Sequence, residues 1–193
     1  MGDGARVLPS LVWGAVMRAA WRNLAIGIAS GLAAAWVMDT FQEGWSAVRK
    51  SAAEDDPPQQ GSEEKSEPTT VKAADRVSNV VAGGPVAEPH RALAGQAVHY
   101  SFGAYLGAFY ALVLSNFPKA STGFGTLYGA AVWLVADEFL VPAGDLTPAP
   151  RDVPASIHVY AFVSHLMFGA ALEGSWRAIE AAFQVAARGE AGT

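Results

Sequence analysis

Apolar runs along this chain are too long for strands and are broken by charge at a few fixed places. Leu24 to Met38 carries no charge, and Asp39 and Glu43 follow before Trp45. Ala92 to Pro118 is 27 residues in which His99 is the one side chain that titrates near neutral pH. Ala120 to Ala136 is uncharged, and so, with its histidines neutral, is Ala155 to Leu172. A helix needs about 20 largely apolar residues to cross the hydrocarbon of a bilayer. Four segments meet or approach that length. The pattern predicts an all-α, polytopic membrane protein with four transmembrane helices in a single domain, 1–193.

Local signals set the boundaries. Pro9 to Arg22 (PSLVWGAVMRAAWR) has Ser10 as a cap and Arg18 and Arg22 breaking its apolar positions. It predicts an interfacial N-terminal helix over 9–22, with Trp13 and Trp21 at headgroup level. The first span covers 23–48, bracketed by Trp21 and Trp45, whose separation is about 36 Å at 1.5 Å per residue. AEDDPPQQGSEEKSEP, Ala53 to Pro68, holds six acidic residues and three prolines. It cannot bury enough apolar surface to offset its ordering entropy, so 49–70 is expected to be a disordered, mobile loop. Val71, Ala74, Val77 and Val81 recur at helical spacing before Gly83 and Gly84, which predicts a short amphipathic surface helix over 71–82. Further spans are expected over 90–116, 123–141 and 155–187. The four prolines of PAGDLTPAPRDVP forbid helix between the last two.

Composition sharpens this picture. Charged residues make up 16% of the chain, below the roughly 25% usual for soluble domains. The net charge of −5 comes largely from the acidic loop and says little about partners. There are no cysteines, which excludes disulfides and thiolate metal sites within the chain. No cleavable signal pattern precedes the first span, so insertion is expected to use that helix itself. Basic residues near the membrane divide five against five between the two sides, so the positive-inside rule does not decide the orientation. Cytoplasmic termini are the expectation adopted. No basic stripe points to nucleic acid. No phosphate-cradling glycine loop, nucleophile elbow or triad spacing points to an enzyme. The lipid bilayer is the partner expected, with a homo-oligomer or a larger membrane complex possible.

Each span carries a row of small residues four apart, the pattern that lets backbones approach in lipid. The rows are Gly27, Gly31, Ala35, Asp39 and Glu43; His99, Gly103, Gly107 and Ala111; Gly125, Gly129, Trp133 and Asp137; and His165, Gly169 and Glu173, with His158 seven residues earlier. An ionisable residue shares every row, so the ionisable groups should face the bundle interior. Spans one and three end, and two and four begin, on the same side, here called side B. Asp39, Glu43, His99, Asp137, Glu138 and His158 lie towards side B, His165 about two turns deeper, and Glu173 towards side A. Asp137 is expected to meet Asp39, His99 and His158. Glu138 should turn about 100° away from it on a regular helix. Gly27-xxx-Gly31-x7-Asp39-x-Phe41 recurs as Gly125-xxx-Gly129-x7-Asp137-x-Phe139, and each is followed by a histidine-opened helix. That suggests an internal duplication in which His99 matches His158.

Three kinds of chemistry suit such a cluster. The groups could pair structurally with one another and with Arg91 or Arg151. They could pass protons or bind a cation in a half-bilayer vestibule, as in a small transporter or channel. They could hold a metal or haem b, with His99, His158, His165 and Asp137 as ligands. No Glu-x-x-His or His-x-x-x-His pair is present, and no cofactor is required by the sequence.

VKAAD at Val71, AVHYSFG at Ala97, G-x-G-x-x-x-G at Gly123, WLVADEFLVP at Trp133, LTPAP at Leu146 and SIHVYAFVSHLMFGAALE at Ser156 occur in this order. In that order and spacing they resemble the YagU-like family of bacterial inner-membrane proteins, over about Val71 to Glu173. The resemblance implies a multi-pass protein of the bacterial inner (cytoplasmic) membrane with no established biochemical activity. Where the family pattern has Gly before Leu-Thr/Ser-Pro, this chain has Asp145.

Overall fold

The computed structural model describes residues 4–54 and 67–190, and every regular element among them is helical. Five helices carry the architecture: α1 (Gly4–Glu54), α2 (Thr69–Ala82), α3 (Arg91–Asn116), α4 (Thr126–Ala143) and α5 (Ala155–Glu190). α1, α3, α4 and α5 each contain a stretch long and apolar enough to cross a membrane.

α1 departs from the expected division at residue 22. It runs without a break, because the junction Ala19-Ala20-Trp21-Arg22-Asn23 holds neither Gly nor Pro, and Arg22 costs a helix little. It also continues through Arg49–Glu54, where a loop is expected, since Arg-Lys-Ser-Ala-Ala-Glu suits a helix. Of the rest of the expected loop, 55–66 lies outside the described residues, and Thr69 and Thr70 already belong to α2. α4 starts three residues later than the expected span, 123–141. Gly123, Phe124 and Gly125 all have positive φ (65°, 56° and 81°), which no right-handed helix accepts.

Between apolar helices in lipid there is little hydrophobic gain from contact, so association depends on how closely backbones approach. Two seams show this. Gly27 and Gly31 of α1 lie against Gly107 and Gly103 of α3, and a Cβ on Gly31 would collide with the Gly103 carbonyl. Gly125 and Gly129 at the start of α4 lie against Gly169 and His165 of α5 in the same antiparallel way, and a Cβ on Gly129 would meet the His165 carbonyl. α1 also packs along α5, which joins the two pairs. At the end of this contact Phe41, Trp45 and Tyr160 stack with centroids 5.9–6.5 Å apart. Tyr110, Leu172, Ser30 and Ser164 are fully buried at the centre.

The seams give the proposed duplication a structural register, and the register corrects one match. Gly103 and Gly107 stand where His165 and Gly169 stand in the second pair. His99 therefore corresponds to Ala161, and His158 is not its equivalent.

α2 lies across side B. Its buried residues Val71 and Ala74 face α3, where Val71 fills the space left by Gly95. Arg91 at the start of α3 reaches back to Glu67 and Asp75, the latter at 2.7 Å. On its other flank Lys72 and Arg76 donate to the carbonyls of Leu146 and Asp145, each at 3.4 Å. Asp145 has φ 50°, the left-handed conformation that glycine adopts most readily. So α2 bridges α3 and the proline-rich loop after α4.

Gly129→Ala should lower the detergent melting temperature, since overpacking costs about 1–3 kcal/mol. Gly44, which has open space where a Cβ would stand, should tolerate Ala or gain from its better helix propensity. Equal shifts for the two variants would refute the seam.

Candidate functional site

The predicted cluster resolves into three interhelical pairs of one histidine and one carboxylate. Asp39 of α1 meets His99 of α3, with Oδ1 to Nε2 at 3.1 Å. Glu138 of α4 meets His158 of α5, with Oε1 to Nδ1 at 2.6 Å. Asp137 of α4 lies 3.6 Å from Nδ1 of His165 on α5. Asp137 thus faces His165 and not the expected set of Asp39, His99 and His158. Glu138, expected to turn away, is the carboxylate that holds His158.

A local change in α4 accounts for this. Ala136–Leu140 form a π-helical turn, whose wider winding admits an extra residue into the ladder. Adjacent carboxylates therefore diverge less than on an α-helix. Both face α5, where His158 and His165 stand seven residues apart on one side of the helix.

The pairs differ in how far their hydrogen-bonding capacity is used. His158 Nε2 lies 2.9 Å from the Pro150 carbonyl, an acceptor, so this nitrogen donates. Nδ1 and the Glu138 carboxylate, at 2.6 Å, then need one proton between them. Both ring nitrogens are committed, and the pair ties α4, α5 and the proline loop together. His99 Nε2 faces two acceptors, Asp39 and the Ala35 carbonyl at 3.3 Å, and so donates to α1. His165 Nδ1 donates to the Ala161 carbonyl one turn back, at 2.9 Å. That leaves Nε2 as its second polar atom, and the residue lines a cavity.

The cavity encloses about 470 Å³. α3 and α4 bond near side A, where Tyr128 donates to the Leu106 carbonyl at 2.7 Å and stacks on Tyr110 at 4.7 Å. Towards side B they separate around the cavity. Its walls come from all five helices, its roof from Thr69, Thr70 and Ala73 of α2, and its titratable lining residues are His99, Asp137 and His165. A second, more polar pocket contains Asp39, Glu67, Glu88 and Arg91 and shares Gln42, Pro68, Thr70 and His99 with the first.

The remaining predicted residues fall elsewhere. Glu43 is exposed and lines neither cavity. Glu173, 3% exposed, sits in a separate network towards side A. It accepts from the Tyr110 hydroxyl and from Arg177 Nε, the latter at 2.5 Å. The Arg177 guanidinium also lies over the Phe124 ring, 5.0 Å from its centroid. Among the described residues no three His, Cys, Asp or Glu side chains gather closely enough to hold a metal ion.

With this arrangement in hand, a family profile described as a protein of unknown function, DUF1440, matches residues 45–174. The chain belongs to the DUF1440 family. The matched region of this family member takes in α2, α3, α4 and the cavity-lining half of α5. No curated protein and no solved structure matches the chain.

Several participants escaped sequence reasoning. Arg177 was legible as the i+4 partner of Glu173. Tyr110 and Tyr128 carry no such signal, because burying a tyrosine hydroxyl depends on finding an acceptor on another helix. The roof residues of α2 could be found by no spacing rule, since their contacts span the acidic loop.

The shared proton at Glu138 yields a direct expectation. Glu138→Gln can donate its amide to a neutral His158 Nδ1, so it should keep most of the melting temperature. Glu138→Ala leaves Nδ1 unpartnered and should lose several degrees. If Gln and Ala behave alike in thermal melts, the pair does not lock α4 to α5.

Proposed function

We propose that this chain is a multi-pass protein of the bacterial inner membrane that exchanges protons or a cation with one side through a half-bilayer vestibule. Inner-membrane placement rests on the YagU-like resemblance, with which membership of the DUF1440 family is compatible. The observation that carries the chemistry is where the pairs stand relative to the cavity. Both members of the Asp137–His165 pair line it, whereas Asp39–His99 brings only its histidine there and Glu138–His158 neither residue. A carboxylate inside a membrane bundle is costly, and the usual return is a role in moving or holding charge.

The structural reading of the cluster is favoured for two pairs by a specific observation. Both nitrogens of His158 are bonded, and His99 donates to two α1 acceptors. These pairs hold the walls that the third pair uses. On side A, Glu173, Tyr110 and Arg177 close the bundle below the cavity floor. Towards side B the vestibule is covered by α2 alone. The glycine seams make two helix pairs that can rock as units about α1 and α5, the arrangement through which repeat-built transporters expose one site to either side.

Proteoliposomes containing a pH-sensitive dye test this reading. The wild-type chain should dissipate an imposed pH gradient faster than empty vesicles. Asp137→Asn should slow it by about two orders of magnitude, the usual contribution of a positioned proton-transfer group. Glu43→Gln, outside both cavities, should leave the rate unchanged. Identical rates for wild type and Asp137→Asn would sink the proposal.

A further inference from the structure

We infer that the inner cavity is a binding site for a free organic cation bearing apolar substituents, with Asp137 as its counter-ion. This rests on the vestibule reading and names the guest that the vestibule takes.

Size comes first. At about 470 Å³ the cavity has room for a small organic molecule and far more than a bare ion needs. Small-molecule sites generally run from about 300 to 1,000 Å³. The lining is mainly apolar and aromatic, with Met38, Phe102, Leu106, Val141 and Phe168 forming much of the wall.

Charge narrows the class. Among the described residues Asp137 is the one carboxylate in the lining, which holds no Lys or Arg. A phosphate or carboxylate guest would meet repulsion from Asp137 and find no guanidinium or ammonium to receive it. The same absence argues against a zwitterionic lipid headgroup, whose phosphate would enter beside its amine. A hard metal ion is equally ill served, because it wants several oxygen ligands and no suitable group of three gathers among the described residues. A cation whose charge is wrapped in hydrocarbon needs much less: one carboxylate, apolar walls and aromatic faces. Phe102 and Phe168 bring aromatic rings to the lining from opposite helix pairs, α3 and α5. The adjoining pocket presents Asp39, Glu67 and Glu88, with Arg91 held by Glu67 and Asp75. An acidic mouth of this kind raises the local concentration of cations.

The surroundings of Asp137 make binding compete with a proton. From α5 it faces His165, while His158 is engaged by its neighbour Glu138. From α3, across the cavity, stands His99, which is paired with Asp39 of α1. From α2 the lining residues Thr69, Thr70 and Ala73 are uncharged, and Lys72 is turned to the Leu146 carbonyl. A proton on the Asp137 carboxylate is thus the charge that a guest displaces. When the cation enters, one proton leaves to water and the charge of the site is conserved.

Isothermal titration of the purified full chain in detergent with benzyltrimethylammonium tests this. Saturable binding of one cation per chain is expected at pH 8. Affinity should fall as the pH is lowered, by at most about tenfold per unit for exchange of a single proton. Asp137→Asn should abolish the pH dependence and most of the affinity. Phe168→Leu should weaken binding by roughly two- to fivefold, the range of an exposed cation–π contact. This second variant and the pH series hold the inference to account even if Asp137→Asn folds poorly. Neopentylbenzene, the uncharged isostere, should not compete. Competition by it, or wild-type affinity in Asp137→Asn, overturns the inference. If the cation fails to bind while the chain still dissipates a pH gradient, the cation site is wrong and the vestibule stands. Binding without any proton flux would overturn the vestibule's proton role instead.

Discussion

Backbone-to-backbone contact along two glycine seams is the constraint from which the rest of this structure follows. In an apolar medium the side chains of two helices gain little by meeting, so the contacts that matter are those only bare Cα atoms allow. Gly31 against Gly103, and Gly129 against His165 and Gly169, bring two antiparallel pairs to such distances. Each seam fixes a register, and the register fixes which ionisable groups can touch. Asp39 falls beside His99 because Gly31 falls beside Gly103. His165 stands beside Asp137 because its own backbone completes the second seam.

The same close pairing explains the cavity. Two pairs held tightly within themselves are joined by α1 lying along α5, which leaves α3 and α4 to bond near side A alone. Towards side B the gap between them is filled by no helix of the bundle. α2 covers it, anchored on α3 by Val71 and Arg91 and on the proline loop by Lys72 and Arg76. These polar ties are few and partly exposed.

Charge is distributed in a way that matches these mechanical roles. Towards side A the carboxylate of Glu173 is buried and bonded to Arg177 and to Tyr110, whose ring packs on those of Tyr128 and Trp176. Towards side B the carboxylates inside the bundle sit with imidazoles, and Arg91 joins Glu67 and Asp75 at the rim.

The sequence by itself determined the four helices long and apolar enough to cross a membrane, because hydrocarbon thickness sets a minimum apolar length that is legible in one dimension. It also determined the small-residue rows and the placement of ionisable groups on them, since a four-residue spacing puts them on one helix face whatever the partner. The continuity of α1 was hidden in a local pattern, as Arg18 and Arg22 read equally as an interfacial face or as part of a long helix. What only the tertiary structure decided is the pairing. The π-helical turn at Ala136–Leu140 turned Glu138 towards His158, and no spacing rule foresees an extra residue in a helical turn. Likewise the choice of His165 over His99 or His158 for Asp137, and the roofing of the cavity by α2, depend on distances between helices. Those distances come from three-dimensional packing of backbones, which a periodicity along one chain does not contain.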